Sequence, residues 1–318
     1  MLDHNSPLVS IGIPTYNRAL SLVHAVESAL AQDYPNLEIV VSDNASTDET
    51  NSVCAAFCMK DRRIRYVCQP RNLGMTENFR RALASSRGEF FMWLSDDDWL
   101  DPSYLSQCMH FLENNRDYVL VCGTGRYYKG GKFIYQSKKI DLTDDSRVAR
   151  VLSYYRKVDF DGVFFGVARF DLLASLRMEE LFGGDWLFSA ALAYLGKIKM
   201  LESTSIHRSL EGASQDLESL GLDMGMSRFR AKNAHLAFAL AALGDIGWIS
   251  PTYNRSPGLA RLSLGVNAAL SIIGRFYLPI LVGRARRRAR ASFRGLHRVL
   301  DRHLLWRIQA RADKRHDR

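Results

Sequence analysis

The chain has 318 residues, which is long enough for one large α/β domain with an appendage or for two ordinary domains. Hydrophobic residues make up 47% of it and charged residues 24%, a globular composition that excludes a mainly disordered or low-complexity protein. The formal charge of +9 permits three kinds of partner, namely nucleic acid, an anionic membrane or phosphorylated substrates.

The positive charge is concentrated at the C-terminal end. Residues 284–318 contain 13 Lys or Arg and 3 Asp or Glu, a net charge of +10, so the first 283 residues are close to neutral. The five cysteines form no C-x-x-C pair and their number is odd, which favours free thiols in a reducing compartment. Residues 1–7 are polar and lead into a strand pattern, which predicts no secretory signal and a cytoplasmic protein.

The first 125 residues alternate between strand and helix patterns. Strand patterns lie at 8–13, 37–41, 64–67 and 90–94, and helix patterns at 20–32, from 47 onward and at 77–84. Four strands separated by helices predict βαβ units and a mainly parallel sheet.

The rest of the chain shows mixed patterns. Two strand patterns lie within 118–135 and one lies at 203–208. Helix patterns lie at 146–155, at 185–195 and, as one long helix, at 222–243. Residues 247–257 break the helix pattern, and an apolar segment follows at 258–283. No internal repeat is visible.

Polar residues follow each of the first four predicted strands. They are residues 14–18, 43–44, 70–72 and 96–98. Because ligands of open parallel sheets bind at the carboxyl ends of the strands, these residues predict a binding cleft. The chain has no P-loop and no G-x-G-x-x-G motif after the first strand, which disfavours P-loop NTPases and nicotinamide dehydrogenases.

Three consecutive carboxylates follow the fourth strand. Asp96, Asp97 and Asp98 would repel each other in apolar surroundings, so we expect a cation to neutralise them. Oxygen ligands favour Mg²⁺ or Mn²⁺ over zinc, and such ions usually share their ligands with substrate phosphates. The alternative is a solvated acidic loop that caps the helix beginning near Pro102.

Four motifs in this order resemble those of family 2 glycosyltransferases of the GT-A fold, the type that builds bacterial cell-surface glycans. They are residues 9–18 (VSIGIPTYNR), 37–48 (LEIVVSDNASTD), 71–74 (RNLG) and 94–98 (LSDDD). The resemblance is specific over about residues 7–125 and weaker to about 210. It implies an α/β fold with a single Rossmann-like, mainly parallel sheet flanked by helices, followed by a helical C-terminal extension.

This resemblance also implies a division of the chain. Residues 1–215 would form the GT-A catalytic domain, with a nucleotide-sugar half at about 7–125 and an acceptor half at about 126–215. Residues 216–318 would form a helical C-terminal region that contains the apolar segment 258–283 and the basic tail 284–318.

The resemblance implies a nucleotide-sugar donor in the cleft. Asp43 would contact the base, while Thr15 and Tyr16 would line the nucleoside pocket. Many members read D-x-D-D, and Ser95 stands where the first of these aspartates would be, so Asp97 is the main candidate for the metal contact. The expected donor-binding residues are Pro14, Thr15, Tyr16, Asn17, Asp43, Asn44, Arg71, Asn72 and Asp96, and the expected metal ligands are Asp97, Asp98 and His207.

Family members often carry an acidic pair at the start of a later helix. Residues 183–186 (GGDW) resemble this site, with Gly184 in place of the first acid, which makes Asp185 the candidate catalytic base. An ordinary helix N-cap is the alternative. His207 would be a metal or diphosphate contact, although a lone histidine is more often structural.

The apolar segment 258–283 includes two charged residues, Arg261 and Arg275. Its longest uncharged run, 262–274, is shorter than the roughly 18–20 residues of a membrane span. An apolar segment before an arginine cluster favours attachment to the surface of an anionic membrane, with a helix packed on the catalytic domain as the alternative. The basic run lacks interleaved aromatic residues, so we expect no nucleic-acid partner.

We therefore expect an inverting, metal-dependent glycosyltransferase of hexosyltransferase type that uses Mn²⁺ or Mg²⁺. It would move a sugar from a nucleotide-diphosphate donor, a UDP-sugar by family frequency, to a glycan or lipid-linked acceptor at the inner face of the cell membrane. One alternative is a sugar-phosphate nucleotidyltransferase of related fold, which would need a glycine-rich loop where residues 14–17 stand. The other is a non-catalytic membrane or nucleic-acid-binding protein, which would leave the acidic triplet unexplained.

Overall fold

The computed structural model describes residues 6–158, 162–181, 183–211 and 217–283. The predicted basic tail at 284–318 lies outside these residues. All five cysteines are free, as their number and spacing predicted.

The first part of the chain alternates strands and helices. The elements are β1 Val9–Thr15, α1 Ala19–Leu30, β2 Leu37–Asp43, α2 Thr50–Lys60, β3 Ile64–Cys68, α3 Met75–Ala84, β4 Phe90–Trp93, β5 Trp99–Leu100 and α4 Tyr104–Asn114. Every residue of β1, β2 and β4 is buried, as in parallel strands that are covered on both faces. The predicted βαβ order is confirmed.

The second part adds β6 Tyr118–Lys129, β7 Lys132–Gln136, α5 Arg147–Lys157, β8 Val167–Arg169, α6 Phe170–Ser175, α7 Gly184–Leu195 and β9 Lys197–Ser209. Strand β9 begins well before the predicted strand at 203–208. Its first four residues alternate between half-buried lysines and buried Ile198 and Met200, the period of a strand with one face in the core.

The described strands form one sheet in the order β3-β2-β1-β4-β8-β6-β9-β5, with β7 paired to β6. The pairs β1–β2, β1–β4 and β2–β3 are parallel, and β6 is parallel to β9. Strand β8 is antiparallel to both β4 and β6 and joins the two halves. The α/β fold class is confirmed, and the sheet gains antiparallel pairs in its second half. The antiparallel pair β5–β9 brings the segment after β4 to the end of β9.

The C-terminal region contains α8 Leu217–Asp223, α9 Arg228–Lys232, α10 Ala234–Gly244 and α11 Gly258–Ile272. The predicted single helix at 222–243 is wrong. Gly225 adopts a φ of 75°, which ends the first segment, and the Ser227 side chain accepts a hydrogen bond from the backbone N–H of Arg230 to begin the next.

Beyond α11 the helix continues as a π turn, Ile273–Tyr277, and runs on to residue 283. This helical run includes Pro279. A proline clashes with the carbonyl four residues before it, and the wider π turn directly before Pro279 relieves that clash.

One hydrophobic cluster extends from the sheet into the C-terminal helices, where it includes Phe238 and Ile272. Near the cleft, Trp93 of β4 stacks on Phe164 with ring centroids 4.7 Å apart. Trp186 of α7 packs edge-on against Phe238 of α10 at 5.1 Å. The C-terminal helices therefore pack directly on α7; the domain boundary at 215–216 stays a prediction.

Candidate active site

Two carboxylates of the acidic triplet contact the segment that follows β1. Thr15 Oγ1 donates a hydrogen bond of 2.8 Å to Asp96, and Arg18 Nη1 lies 2.8 Å from Asp97 Oδ2 and 3.5 Å from Asp96 Oδ1. Burial raises the pKa of Asp96 to about 6, although Thr15 and Arg18 oppose the shift. The first and fourth strand ends thus meet at one edge of the sheet.

The third carboxylate bonds to β9. Asp98 Oδ2 lies 3.0 Å from Arg208 Nε, and the backbone N–H of Ser209 donates to Asp98 Oδ1 at 3.0 Å. The Arg208 guanidinium also lies over the Phe165 ring, 4.3 Å from its centroid. Burial raises the pKa of Asp98 to about 6 even with Arg208 beside it. Both oxygens of Asp98 therefore have protein partners.

His207 connects three strands. Its Nε2 lies 2.8 Å from Asp101 Oδ1 and its Nδ1 lies 3.0 Å from the hydroxyl of Tyr128. Its ring stacks on Trp99 of β5 with centroids 5.1 Å apart. Because both ring nitrogens have protein partners, His207 acts here as a structural link between β5, β6 and β9.

The roles of Asp97, Asp98 and His207 as metal ligands stay predictions; Asp97 is the one among them whose protein partner, Arg18, is partly exposed. No group of three or more His, Cys, Asp or Glu side chains that could hold a metal occurs among the described residues. A Mg²⁺ or Mn²⁺ ion needs as little as one carboxylate when substrate phosphates and water complete its shell. Asp97 offers such a carboxylate, whereas Asp98 and His207 are held by Arg208, Ser209, Asp101 and Tyr128.

The candidate base lies in a tightly packed turn before α7. Gly183 has a φ of 78°, and a Cβ atom at this position would lie 2.4 Å from the Phe238 ring. A Cβ atom at Gly184 would lie 2.6 Å from the carbonyl oxygen of Glu179. The turn therefore has no room for the first acid of the family motif, and Asp185 is left as the acidic residue of this turn.

The Asp185 side chain is exposed to solvent in the first turn of α7. Desolvation raises the pKa of Asp185, and a hydrogen bond from the backbone N–H of Trp186 and the positive charge of Arg208 oppose this shift. The charge of Arg208, which is bound to Asp98, thus also acts on the candidate base.

The donor half is organised around Asp43 at the end of β2. The backbone N–H and the hydroxyl of Ser46 donate to Asp43 Oδ1 at 2.9 and 2.5 Å, and the hydroxyl of Tyr66 donates to Oδ2 at 2.6 Å. Tyr66 was not predicted as a site residue. Its position on β3, opposite Val41 of β2, is the signal that would have identified it.

Asparagines connect the second and third strand ends. Asn44 Nδ2 donates to Asn72 Oδ1 at 2.8 Å, and the backbone N–H of Leu73 donates to Asn44 Oδ1 at 2.8 Å. Asn78, which was also missed, donates to the carbonyls of Thr15 and Ser42 at 3.1 and 2.9 Å. Its position inside a predicted helix gave no sign of this role.

The remaining predicted donor residues lie along the same edge. Pro14 is buried within β1, whereas Tyr16 and Arg71 are exposed. Asn17 adopts a φ of 53°, and its side-chain carbonyl accepts a 2.7 Å hydrogen bond from the backbone N–H of Thr47. The roles of these residues in donor binding stay predictions. Arg208, Asp101 and Tyr128 are further residues of the site that the sequence did not single out.

Comparison with known proteins gives the family. The glycosyl transferase family 2 pattern matches residues 10–177. The GalNAc(5)-diNAcBac-PP-undecaprenol beta-1,3-glucosyltransferase of Campylobacter jejuni is 34% identical over 180 residues, which cover 56% of this chain and 57% of that protein. The putative colanic acid biosynthesis glycosyl transferase WcaA of Escherichia coli is 28% identical over 232 residues, 72% of this chain and 82% of WcaA. The chain thus spans little more than half the length of the C. jejuni relative.

Two solved structures share the fold. S. aureus TarS 1–349 in complex with UDP-GlcNAc has a TM-score of 0.53 at 19% identity, covering 84% of this chain and 80% of TarS 1–349. The mannosyltransferase PcManGT from Pyrobaculum calidifontis, in complex with GDP-Man and Mn²⁺, has a TM-score of 0.53 at 17% identity, covering 91% of this chain and 81% of PcManGT. The family match over more than half of the chain, together with the strand-end motifs on this fold, shows that the chain belongs to glycosyltransferase family 2.

Proposed function

We propose that this chain transfers a sugar, with inversion, from a UDP-sugar to a hydroxyl group of a lipid-linked glycan. The observation that carries the proposal is the edge where the first and fourth strand ends meet, with Thr15 and Arg18 in contact with Asp96 and Asp97. Asp185, an exposed acid in the first turn of α7, is the candidate base. Family membership disfavours both alternatives, the nucleotidyltransferase and the non-catalytic binding protein.

The choice of donor and acceptor rests on the relatives. TarS is solved with UDP and with UDP-GlcNAc, which supports a UDP-sugar as donor. The name of the C. jejuni relative describes glucosyl transfer to an undecaprenyl-diphosphate-linked glycan, which supports a lipid-linked acceptor. A lipid-linked acceptor would place the enzyme at the inner face of the cell membrane, and we propose peripheral association with that surface.

Donor binding would use the edge formed by the strand ends. Asp43, fixed from two sides by Ser46 and Tyr66, is oriented to accept a hydrogen bond from the base without further reorganisation. Thr15, Tyr16 and Asn17 would line the nucleoside, with Pro14, Asn44, Arg71, Asn72 and Asp96 shaping the same pocket.

Asp97 would hold Mn²⁺ or Mg²⁺ together with the donor diphosphate. When bound, the ion stabilises the negative charge that builds on the leaving diphosphate. Arg18 now pairs with the same carboxylate at 2.8 Å, and this cation can move to the diphosphate when the donor enters, since its side chain is 33% exposed.

Asp185 would accept the proton of the acceptor hydroxyl. A carboxylate whose pKa lies above its ordinary value is a better base near neutral pH. The acceptor oxygen forms a bond with the anomeric carbon as the bond from that carbon to the diphosphate oxygen breaks on the opposite side. The anomeric configuration therefore inverts.

Asp185→Asn tests the proposal. We expect transfer from UDP-GlcNAc or UDP-glucose, measured as UDP release in the presence of Mn²⁺ and a polyprenyl-diphosphate-linked glycan, to fall about 10²–10⁴-fold. UDP affinity measured by calorimetry should change less than about twofold, because the substitution keeps the size of the side chain. The matched control is Asp171→Asn, an exposed acid in the first turn of α6 that should leave transfer unchanged.

Two results would overturn the mechanism. Transfer retained in Asp185→Asn would remove Asp185 as the base. A product whose anomeric configuration equals that of the donor, observed by proton NMR, would exclude the single displacement.

A further inference from the structure

The C-terminal helices carry an exposed apolar surface, which we call the C-terminal apolar face. Its members are exposed although all of them are large and hydrophobic; they are Trp248, Ile249, Leu259, Leu262, Val266 and Leu270. Trp248 is 63% and Leu259 84% exposed. Leu262 lies next to Gly247, since a Cβ atom on Gly247 would be 4.0 Å from Leu262 Cδ1, so the residues from α11 adjoin those around Trp248.

This face is not explained by packing within the chain. The other side of α11 is already buried, with Leu264, Ala268 and Ile272 in the hydrophobic core. A helix that packs by one face normally shows charged and polar side chains on the opposite face. Here the exposed positions 259, 262, 266 and 270 follow helical spacing and form an apolar stripe, beside which the exposed polar residues are the uncharged Ser263 and Asn267.

Charged side chains are missing from the face because the two in this segment are partly buried. Arg261 donates to the backbone carbonyls of Ile246 and Ser250 at 3.1 and 3.2 Å. Arg275 lies over the Phe276 ring, 4.8 Å from its centroid. Neither guanidinium breaks the apolar surface, and the next charges in the sequence are the arginines that begin at 284.

We propose that the C-terminal apolar face docks on an anionic lipid bilayer, with α11 lying in the plane of the membrane surface. This inference deepens the peripheral association proposed above and rests on it. The apolar side chains would enter the boundary between headgroups and acyl chains, where tryptophan is especially favourable. The net charge of +10 in the sequence from 284 to 318 would favour a membrane with anionic headgroups over a neutral one.

The contacts of α11 favour a helix in the plane of the membrane over one that crosses it. Among the described residues, 258–283 form one helix long and apolar enough to cross a membrane, judged by length and composition only. Crossing would expose the core residues Leu264, Ala268 and Ile272 and break the two backbone hydrogen bonds of Arg261. Lying in the plane preserves all of these contacts.

Charge favours lipid over a second copy of the chain. A second copy would add a further net charge of +10 from its own residues 284–318 to the complex, whereas anionic lipid neutralises that charge. Docking would also serve the reaction. Trp186, the residue after the candidate base, packs against Phe238 of α10 at 5.1 Å and Phe276 at 5.5 Å, so the docked helices adjoin the acceptor side of the site.

The test is flotation of the full chain with vesicles of phosphatidylcholine, with and without phosphatidylglycerol. We expect binding to the anionic vesicles. Leu259→Ser, Val266→Ser and Leu270→Ser combined should weaken it about tenfold or more. Replacing Arg286, Arg287 and Arg288 with glutamine should weaken binding to the anionic vesicles in a salt-dependent way. The matched control is Met59→Ser, which removes an 83% exposed apolar side chain from α2 and should not change binding.

Each other outcome is decisive. Unchanged binding by the triple serine variant, with UDP affinity intact to show that it is folded, would overturn the assignment of the face. Resistance of the bound protein to alkaline carbonate would indicate a crossing helix, and a dimer that the serine variant dissociates would indicate a second copy. If the wild type binds no vesicle at all, the proposed membrane association fails, while the transfer reaction is still judged by Asp185→Asn.

Discussion

Replacing Arg208 with methionine should destabilise the protein strongly at pH 8 and far less at pH 5. In the wild type, Arg208 Nε lies 3.0 Å from the carboxylate of Asp98, whose side chain is 2% exposed, and the side chain of Arg208 is 19% exposed. Removing one partner of such a buried ion pair typically costs about 3–5 kcal/mol, because the other charge is left without compensation.

The pH dependence follows from the pKa of Asp98. Burial raises it to about 6 even with Arg208 present, and without the guanidinium it rises further. An acid whose pKa is higher in the folded than in the unfolded state makes the free energy of unfolding fall as the pH rises between the two values. The wild type therefore stops losing stability near pH 6, whereas the variant continues to lose about 1.4 kcal/mol per pH unit above it. Two units, from pH 6 to pH 8, give a difference of about 3 kcal/mol, in line with the cost of breaking a buried pair.

Urea unfolding at pH 5, 6, 7 and 8, followed by circular dichroism, measures this difference. Arg81→Met is the matched control, since Arg81 pairs with Glu77 at 2.8 Å on the surface, and it should cost less than about 0.5 kcal/mol at each pH. Adding Asp98→Asn to Arg208→Met should restore much of the lost stability, because no charge then remains buried. A cost of Arg208→Met that is equal at pH 5 and pH 8 would refute the reasoning.

Two further substitutions test other parts of the structure. Tyr66→Phe removes the 2.6 Å hydrogen bond to Asp43 and should weaken UDP binding about tenfold in calorimetry, because a hydrogen bond to a charged group is worth about 1.5–3 kcal/mol. Unchanged UDP affinity would show that Asp43 does not need this partner. Asp245→Asn should raise the free energy of unfolding, measured with urea, by about 1–3 kcal/mol at pH 7 and leave it unchanged at pH 4. The reason is that burial raises the pKa of Asp245 to about 6, so the wild type loses stability as this acid ionises. An equal effect at both pH values would contradict this.

The first half of the sheet could be predicted from the sequence because its signals are local. Strands β1, β2 and β4 are short, mostly apolar runs with polar residues at or just after their ends, and helix patterns separate the strands. Parallel strands connected in this way place their carboxyl ends on one edge, so residues such as Thr15 and Asp96 could be expected to lie together. Their 2.8 Å hydrogen bond is what that placement gives.

The partners of Asp98 could not be predicted, because they come from β9, about 110 positions later in the sequence. The pairing of Trp99 with His207 sets Asp101 and Tyr128 on the two nitrogens of that histidine. No local pattern encodes this register, so the two protein partners of His207 were missed, and its role as a metal ligand stays a prediction. The break of the helix at Gly225 was missed for a different reason, since an Ala- and Leu-rich pattern outweighed a single glycine.

The three carboxylates were expected to need a cation, and the protein itself supplies two, Arg18 and Arg208. These two arginines differ in how easily they can be replaced. The pair of Arg18 and Asp97 is partly exposed, with side-chain exposures of 33% and 17%, and such pairs contribute about 0–1 kcal/mol, so a metal ion with a diphosphate can displace it. The pair of Arg208 and Asp98 is buried and costs several kcal/mol to break. Donor binding should therefore exchange the partner of Asp97 and leave Arg208 in place on Asp98.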